Sequence, residues 1–147
     1  MKFVDSNFLV ARLNPRDQWH SLAISIAAPL DEPLLTTMWI LVEVGDALSV
    51  GVNRALFLRF MDRLSRQSQW EIVAASPEWF ERGLALFHAR PDKNWSLTDC
   101  ISFAVMSERG IPEALTNDHH SEQAGFRILL NEVSLPADHL LHGVLSI

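Results

Sequence analysis

Residues 1–7 read Met1-Lys2-Phe3-Val4-Asp5-Ser6-Asn7, and the change of residue type inside them decides the architecture. Phe3 and Val4 favour a strand, whereas Asp5, Ser6 and Asn7 hydrogen-bond their own backbone and turn the chain. A short buried strand ends in this way at its carboxyl tip. The run from Phe8 to Ala28 is mostly apolar, with a polar break at Asn14 to Gln18, and reads as helical. The chain therefore opens strand, turn, helix. In an open parallel sheet, ligands sit beyond the carboxyl ends of the strands, so Asp5 is a site candidate. Its plain structural alternative is an Asx-turn or helix N-cap.

The same alternation recurs downstream. Leu34 to Thr36 reads as strand, and Thr36 or Thr37 caps a helix from Met38 to about Val50, stopped by Gly51. Asn53 is expected to cap a helix from Arg54 to about Ser68, and Trp70 to Val73 is the next strand. Ser76-Pro77 opens a helix to about Ala89. Ser96 opens another from Leu97 to Arg109, closed by Gly110 and barred from continuing by Pro112. Ala114 to Thr116 and Arg127 to Leu130 complete the strands. Strands separated by helical crossovers, with no hairpin signal, predict an α/β fold. The expected form is a three-layer α/β/α sandwich around a central parallel sheet of four to five strands, Rossmann-like in type. The tail from Val133 to Ile147 is apolar enough to pack, with Pro136 as a helix start.

A length of 147 residues is expected to form a single domain, residues 1–147. No apolar run reaches a membrane-spanning length and no basic leader precedes the first strand, which places the chain in the cytoplasm. One cysteine, Cys100, excludes an internal disulfide and a cysteine-rich zinc site. A net charge of −6 argues against non-specific adhesion to nucleic acid. It leaves open a nucleic-acid substrate at a site whose local charge a metal reverses.

Four acids sit where chemistry is expected. Asp5 and Asp118 end strands whose tips share one sheet edge. Asp99 lies in the first turn of the Leu97 helix, where Ser96-Leu97-Thr98-Asp99 also reads as a capping box. Glu43 falls within Trp39-Ile40-Leu41-Val42-Glu43-Val44, the most apolar run of the chain; a carboxylate there is paired, protonated or cation-bound unless it faces solvent beside Asp46. Two carboxylates about 4 Å apart repel by roughly 4 kcal/mol at an effective dielectric near 20. Four brought together need compensation. Oxygen-only ligands favour Mg²⁺ or Mn²⁺, an ion suited to phosphodiester hydrolysis.

Phe3-Val4-Asp5-Ser6-Asn7, Leu41-Val42-Glu43-Val44, Trp95-Ser96-Leu97-Thr98-Asp99-Cys100 and Ala114-Leu115-Thr116-Asn117-Asp118-His119-His120 together resemble the PIN-domain family of metal-dependent ribonucleases, especially the stand-alone VapC-type toxins. The likeness spans Met1 to about Leu130. It implies that Asp5, Glu43, Asp99 and Asp118 form the catalytic, Mg²⁺- or Mn²⁺-binding set, supported by Ser6, Asn7 and Thr116. It further implies an RNA substrate, a homodimer and a small antitoxin protein that covers the acidic cleft. Two positions depart from the family pattern: Asn117, where relatives often carry an aromatic or apolar residue, and Ser121, where they carry phenylalanine.

Arg12, Arg16, Arg90 and Lys93 fall in loops or element ends and are the preferred phosphate contacts. Arg59, Arg63 and Arg66 share a helix face that reads as solvated or as an RNA guide. His119 and His120 read as a local helix start rather than ligands, and Trp19, Trp39 and Trp79 as core or interface. Two other classes compete. One is a PIN-fold RNA- or protein-binding module with impaired catalysis. The other is a haloacid-dehalogenase-like phosphotransferase using Asp5, which lacks the second acid at Asn7 and a later lysine.

Overall fold

The computed structural model describes residues 1–131; the expected tail from Val133 to Ile147 lies outside them. Five strands, β1 (Lys2–Val4), β2 (Leu34–Thr37), β3 (Trp70–Val73), β4 (Glu113–Leu115) and β5 (Arg127–Ile128), form one sheet in the order β3-β2-β1-β4-β5. Every pairing is parallel. Between them run α1 (Ser6–Leu13) and α2 (His20–Ala27), α3 (Met38–Ala47) and α4 (Val52–Leu64), α5 (Pro77–Ala89) and α6 (Leu97–Arg109), then the short α7 (His119–Gln123). This is the expected α/β/α architecture.

The strand order explains why the site lies where it does. The chain starts in the middle of the sheet at β1, steps outward through β2 to β3, and returns across to β4 and β5. Right-handed crossovers that reverse direction place their helices on opposite faces. Accordingly α1 packs on α2, α3 and α4, while α5 packs on α6 and α6 on α7. Between β1 and β4 the winding reverses. The backbones that leave those two strands diverge there and open a crevice. Asp5 leaves β1 with its N–H still bonded to Leu115 O at 3.1 Å, and Thr116 to Asp118 leave β4 beside it.

The core follows from strands buried on both faces. Phe3, Val4, Leu35, Ala114 and Leu115 are within 1% of full burial, as continuous apolar runs in a covered parallel sheet should be. Thr36 is equally buried because its hydroxyl donates to Val4 O at 2.9 Å. Thr37, not Thr36, caps α3 by accepting from Ile40 N at 3.2 Å.

Two local expectations are corrected. Gly51 does not stop α3, which ends at Ala47; it is the N-cap of α4, with φ +64° and ψ −140°, a conformation open to glycine. Asn53 therefore lies inside α4 rather than capping it. Of the tryptophans expected in the core or an interface, Trp19 and Trp79 are half-buried and pack against the core, and Trp39 is half-buried. Trp95 is the buried one, edge-on to Phe103 with ring centres 5.2 Å apart. Cys100 is buried beside it, as expected of a small hydrophobe.

Among the described residues no helix is long and apolar enough to cross a membrane.

Candidate active site

Asp5 serves two structures at once. Its Oδ1 accepts from Ser6 N at 2.8 Å and so caps α1; its Oδ2 accepts from the Thr116 hydroxyl at 2.8 Å. The N-cap reading was therefore right and incomplete. The Asp5 carboxyl is pushed up to about 6, chiefly by burial and further by the negative charges of Asp99 and Glu43, against the opposing pull of the Thr116 and Ser6 hydrogen bonds. Those two charges place Asp99 and Glu43 each within electrostatic reach of Asp5.

Thr116 is the hub of the site. Fully buried, its hydroxyl donates to Asp5 and accepts from Asn7 Nδ2 at 2.9 Å and from Asp118 N at 3.1 Å. A hydroxyl has one donor and two acceptor positions, and here all are used. Asn7 Oδ1 in turn accepts from Asn117 N at 3.4 Å. β1 and β4 are thus fastened together at their tips by polar side chains chosen for that geometry. On the opposite flank, Ser6 Oγ donates to Glu43 Oε2 at 2.8 Å. Glu43 neither waves in solvent nor lies unpaired: α3 delivers it to the start of α1.

Asp99 and Asp118 meet through a histidine. Asp99 completes the expected capping box, with Ser96 N donating to its Oδ2 at 2.9 Å. The same oxygen lies 3.1 Å from His120 Nδ1. Asp118 caps α7 by accepting from His120 N at 2.9 Å, and its Oδ1 is 3.6 Å from His120 Nδ1. Ligand atoms of Asp99, Asp118 and His120 all lie within 4.8 Å of one another. His120 was passed over by sequence reasoning. Its neighbour His119 points away to Glu122 and is exposed. Adjacent residues on a helix point about 100° apart, so the two imidazoles face different ways, and only the phase of α7 says which meets the site.

Among the described residues, no lysine or arginine pairs with Asp5, Glu43, Asp99 or Asp118; His120 is the one potential cation on them. Asp99 and Asp118 stand with His120 in one compact group, while Asp5 and Glu43 lie outside it, joined to each other through Ser6. Acids without a lysine or arginine partner, and mostly fixed by hydrogen bonds from the backbone and hydroxyls, fit a hard divalent cation.

The basic residues distribute unevenly. Arg12 does not lie at the acidic edge. It sits in the last turn of α1, about 10 Å along the helix from Asp5, where burial and the nearby Arg63 lower its pKa. Arg59 and Arg63 line a cavity with Leu13 and Leu56, while Arg66 pairs with Asp62. Arg16 is exposed in the loop between α1 and α2, and residues 17–19 of that loop border a groove of about 400 Å³ with Ser6, Asn7 and Glu43. Arg90 grips Asp92 and lies over the Trp95 ring, 5.1 Å from its centre. With Lys93 it borders the cavity between α5 and α6. The departures are structural: Asn117 bonds through its backbone, and Ser121 is buried in α7. Neither removes a carboxylate.

No family model matches the chain. It is 31% identical over 127 residues to the 23S rRNA-specific endonuclease VapC20 of Mycobacterium tuberculosis, covering 86% of this chain and 95% of the relative. The crystal structure of Mycobacterium tuberculosis VapC20, a sarcin-ricin loop cleaving toxin, superposes with a TM-score of 0.78 at 23% identity, covering 86% and 96% of the two chains. A chain from a toxin-antitoxin complex of Klebsiella pneumoniae shares the fold at a TM-score of 0.56 and 18% identity, over 81% and 88%.

Proposed function

This chain belongs to the VapC family of PIN-domain toxin nucleases, and from that premise we propose that it is a divalent-cation-dependent endoribonuclease that cuts a structured loop of ribosomal RNA. Asp5, Asp99 and Asp118 hold Mg²⁺ or Mn²⁺, and Glu43 completes the site. When bound, the cation supplies positive charge against the phosphate oxygens and makes an attacking water more acidic. One observation carries the reading. Glu43, Ser6, Asp5, Thr116, Asp118, His120 and Asp99 form an unbroken polar chain, with no lysine or arginine on its acids among the described residues.

The residues of the chain have separable tasks. Thr116 holds the Asp5 carboxylate and the Asp118 backbone in one register. Ser6 orients Glu43 toward the crevice rather than toward bulk water. Asn7 ties the turn after β1 to Thr116, which disfavours the phosphotransferase alternative, since that chemistry needs an acid there. Because ligand carboxylates must lose their protons to bind metal, the raised Asp5 pKa means ion affinity and cutting weaken below about pH 6. Arg16 and the loop carrying Arg90 and Lys93 flank the crevice as phosphate contacts. Arg12 belongs with Arg63, farther from the cut.

The chain acts in the cytoplasm, as a homodimer, and is held inactive by a small antitoxin. A net charge of −6 suits a basic antitoxin segment entering the crevice. The test is direct. Purified protein is incubated with 23S ribosomal RNA and Mn²⁺, and new ends are mapped by primer extension. A discrete cut that EDTA stops and Asp5→Asn abolishes is expected. Equal cutting by Asp5→Asn, or none with either cation, overturns the proposal.

A further inference from the structure

We propose that His120 is a nitrogen donor to the cation held by Asp99 and Asp118, and that it biases the site toward Mn²⁺ over Mg²⁺. The inference rests on the ion-dependent reading above and concerns a residue outside the four acids. Ligand atoms of the three side chains lie within 4.8 Å of one another. An octahedral ion with bonds of about 2.1 Å holds neighbouring donors about 3 Å apart and opposite donors about 4.2 Å apart. The three groups are therefore spaced almost as one coordination sphere requires.

The spacing also suits a cation shared by all three groups better than a single proton. His120 Nδ1 stands 3.1 Å from Asp99 Oδ2 and 3.6 Å from Asp118 Oδ1. A proton on Nδ1 serves the first oxygen and not the second, because 3.6 Å is beyond hydrogen-bond reach. A cation among the three serves both. The two carboxylates are already fixed: Ser96 N donates to Asp99 at 2.9 Å, and His120 N donates to Asp118 at 2.9 Å. The imidazole is half-buried, and its backbone is tied to the very acid it would ligate with. Mg²⁺ prefers an all-oxygen shell, whereas first-row transition ions accept imidazole readily. Replacing one oxygen ligand by nitrogen thus shifts preference toward Mn²⁺.

Mn²⁺ bound to the full chain is examined by electron spin-echo envelope modulation, alongside Mn²⁺ and Mg²⁺ affinities by calorimetry for the parent, His120→Asn and His119→Asn. The asparagine amide still donates to Asp99 but supplies no ring nitrogen. Expected are ¹⁴N modulation from a directly bound imidazole in the parent, its loss in His120→Asn, and a Mn²⁺ affinity lower by about 10-fold or more with Mg²⁺ affinity changed less than about 3-fold. His119→Asn should match the parent. Mn²⁺ binding without nitrogen modulation, or equal losses for both ions, overturns the role of His120 and leaves the nuclease reading intact. No Mn²⁺ binding by the parent, or binding unaffected by Asp118→Asn, overturns both. The parent spectrum needs no variant, so misfolding of His120→Asn does not shield the proposal.

Discussion

Asp5→Asn should make the metal-free protein more stable above about pH 5, and not below it. The Asp5 carboxyl is pushed from 3.8 to about 6 in the folded chain, chiefly by burial. The folded state therefore keeps this proton to higher pH than the unfolded state does. Stability is lost as pH rises from about 4 to about 6, and the loss is complete above that window. A shift of about 2 pH units corresponds to roughly 3 kcal/mol. Asparagine carries no charge and escapes the loss. It can accept from Ser6 N or from the Thr116 hydroxyl but not both, a deficit of about 1 kcal/mol. Urea denaturation in EDTA should find the two proteins about equal at pH 4.5 and the variant ahead by about 2 kcal/mol at pH 8. In thermal melts that gain is about 6 °C for a chain of this size. Added Mn²⁺ should reverse the order at pH 8, since only the parent has the full ligand set. Parallel pH profiles for the two proteins would refute the reasoning, because they would mean that Asp5 titrates as an ordinary surface acid.

Thr116→Val keeps the shape of the side chain but strips the hub of its three hydrogen bonds. A loss of about 2–3 kcal/mol in urea denaturation is expected, with RNA cutting down more than about 10-fold in a gel assay. Gly83→Ala tests the packing of α5 on α6, because a Cβ there would stand 2.2 Å from Ile101 Cγ1 and 3.1 Å from the Ile101 backbone. Despite the better helix propensity of alanine, it should destabilise by about 1–3 kcal/mol in denaturant melts, with cutting unchanged under conditions where it stays folded.

Much of the site could be read along the chain because each acid marks an interruption of pattern. Asp5 breaks a strand, Glu43 breaks the most apolar run, Asp99 stands third after a serine cap, and Asp118 follows a strand. Strand ends and caps are local events, so local rules find them. Thr116, Ser6 and Asn7 came with the family resemblance, and the hydrogen bonds among them need the pairing of β1 with β4. What stayed hidden depended on helix phase. Arg12 and Asp5 are close along the chain, yet two turns of α1 carry the guanidinium away to Arg63. His120 faces the acids and His119 does not, although nothing in the pair His119-His120 distinguishes them. Gly51 looked like the end of one helix because a positive φ marks helix ends more often than starts; here it turns the chain into the next.

Crystals grown with Mn²⁺ and measured at the manganese absorption edge offer the most direct test of whether Asp5, Asp99 and Asp118 share one cation. An anomalous peak within bonding distance of Asp5, Asp99 and Asp118 is expected, lost in Asp118→Asn. A peak elsewhere on the molecule, or none at saturating Mn²⁺, would contradict it.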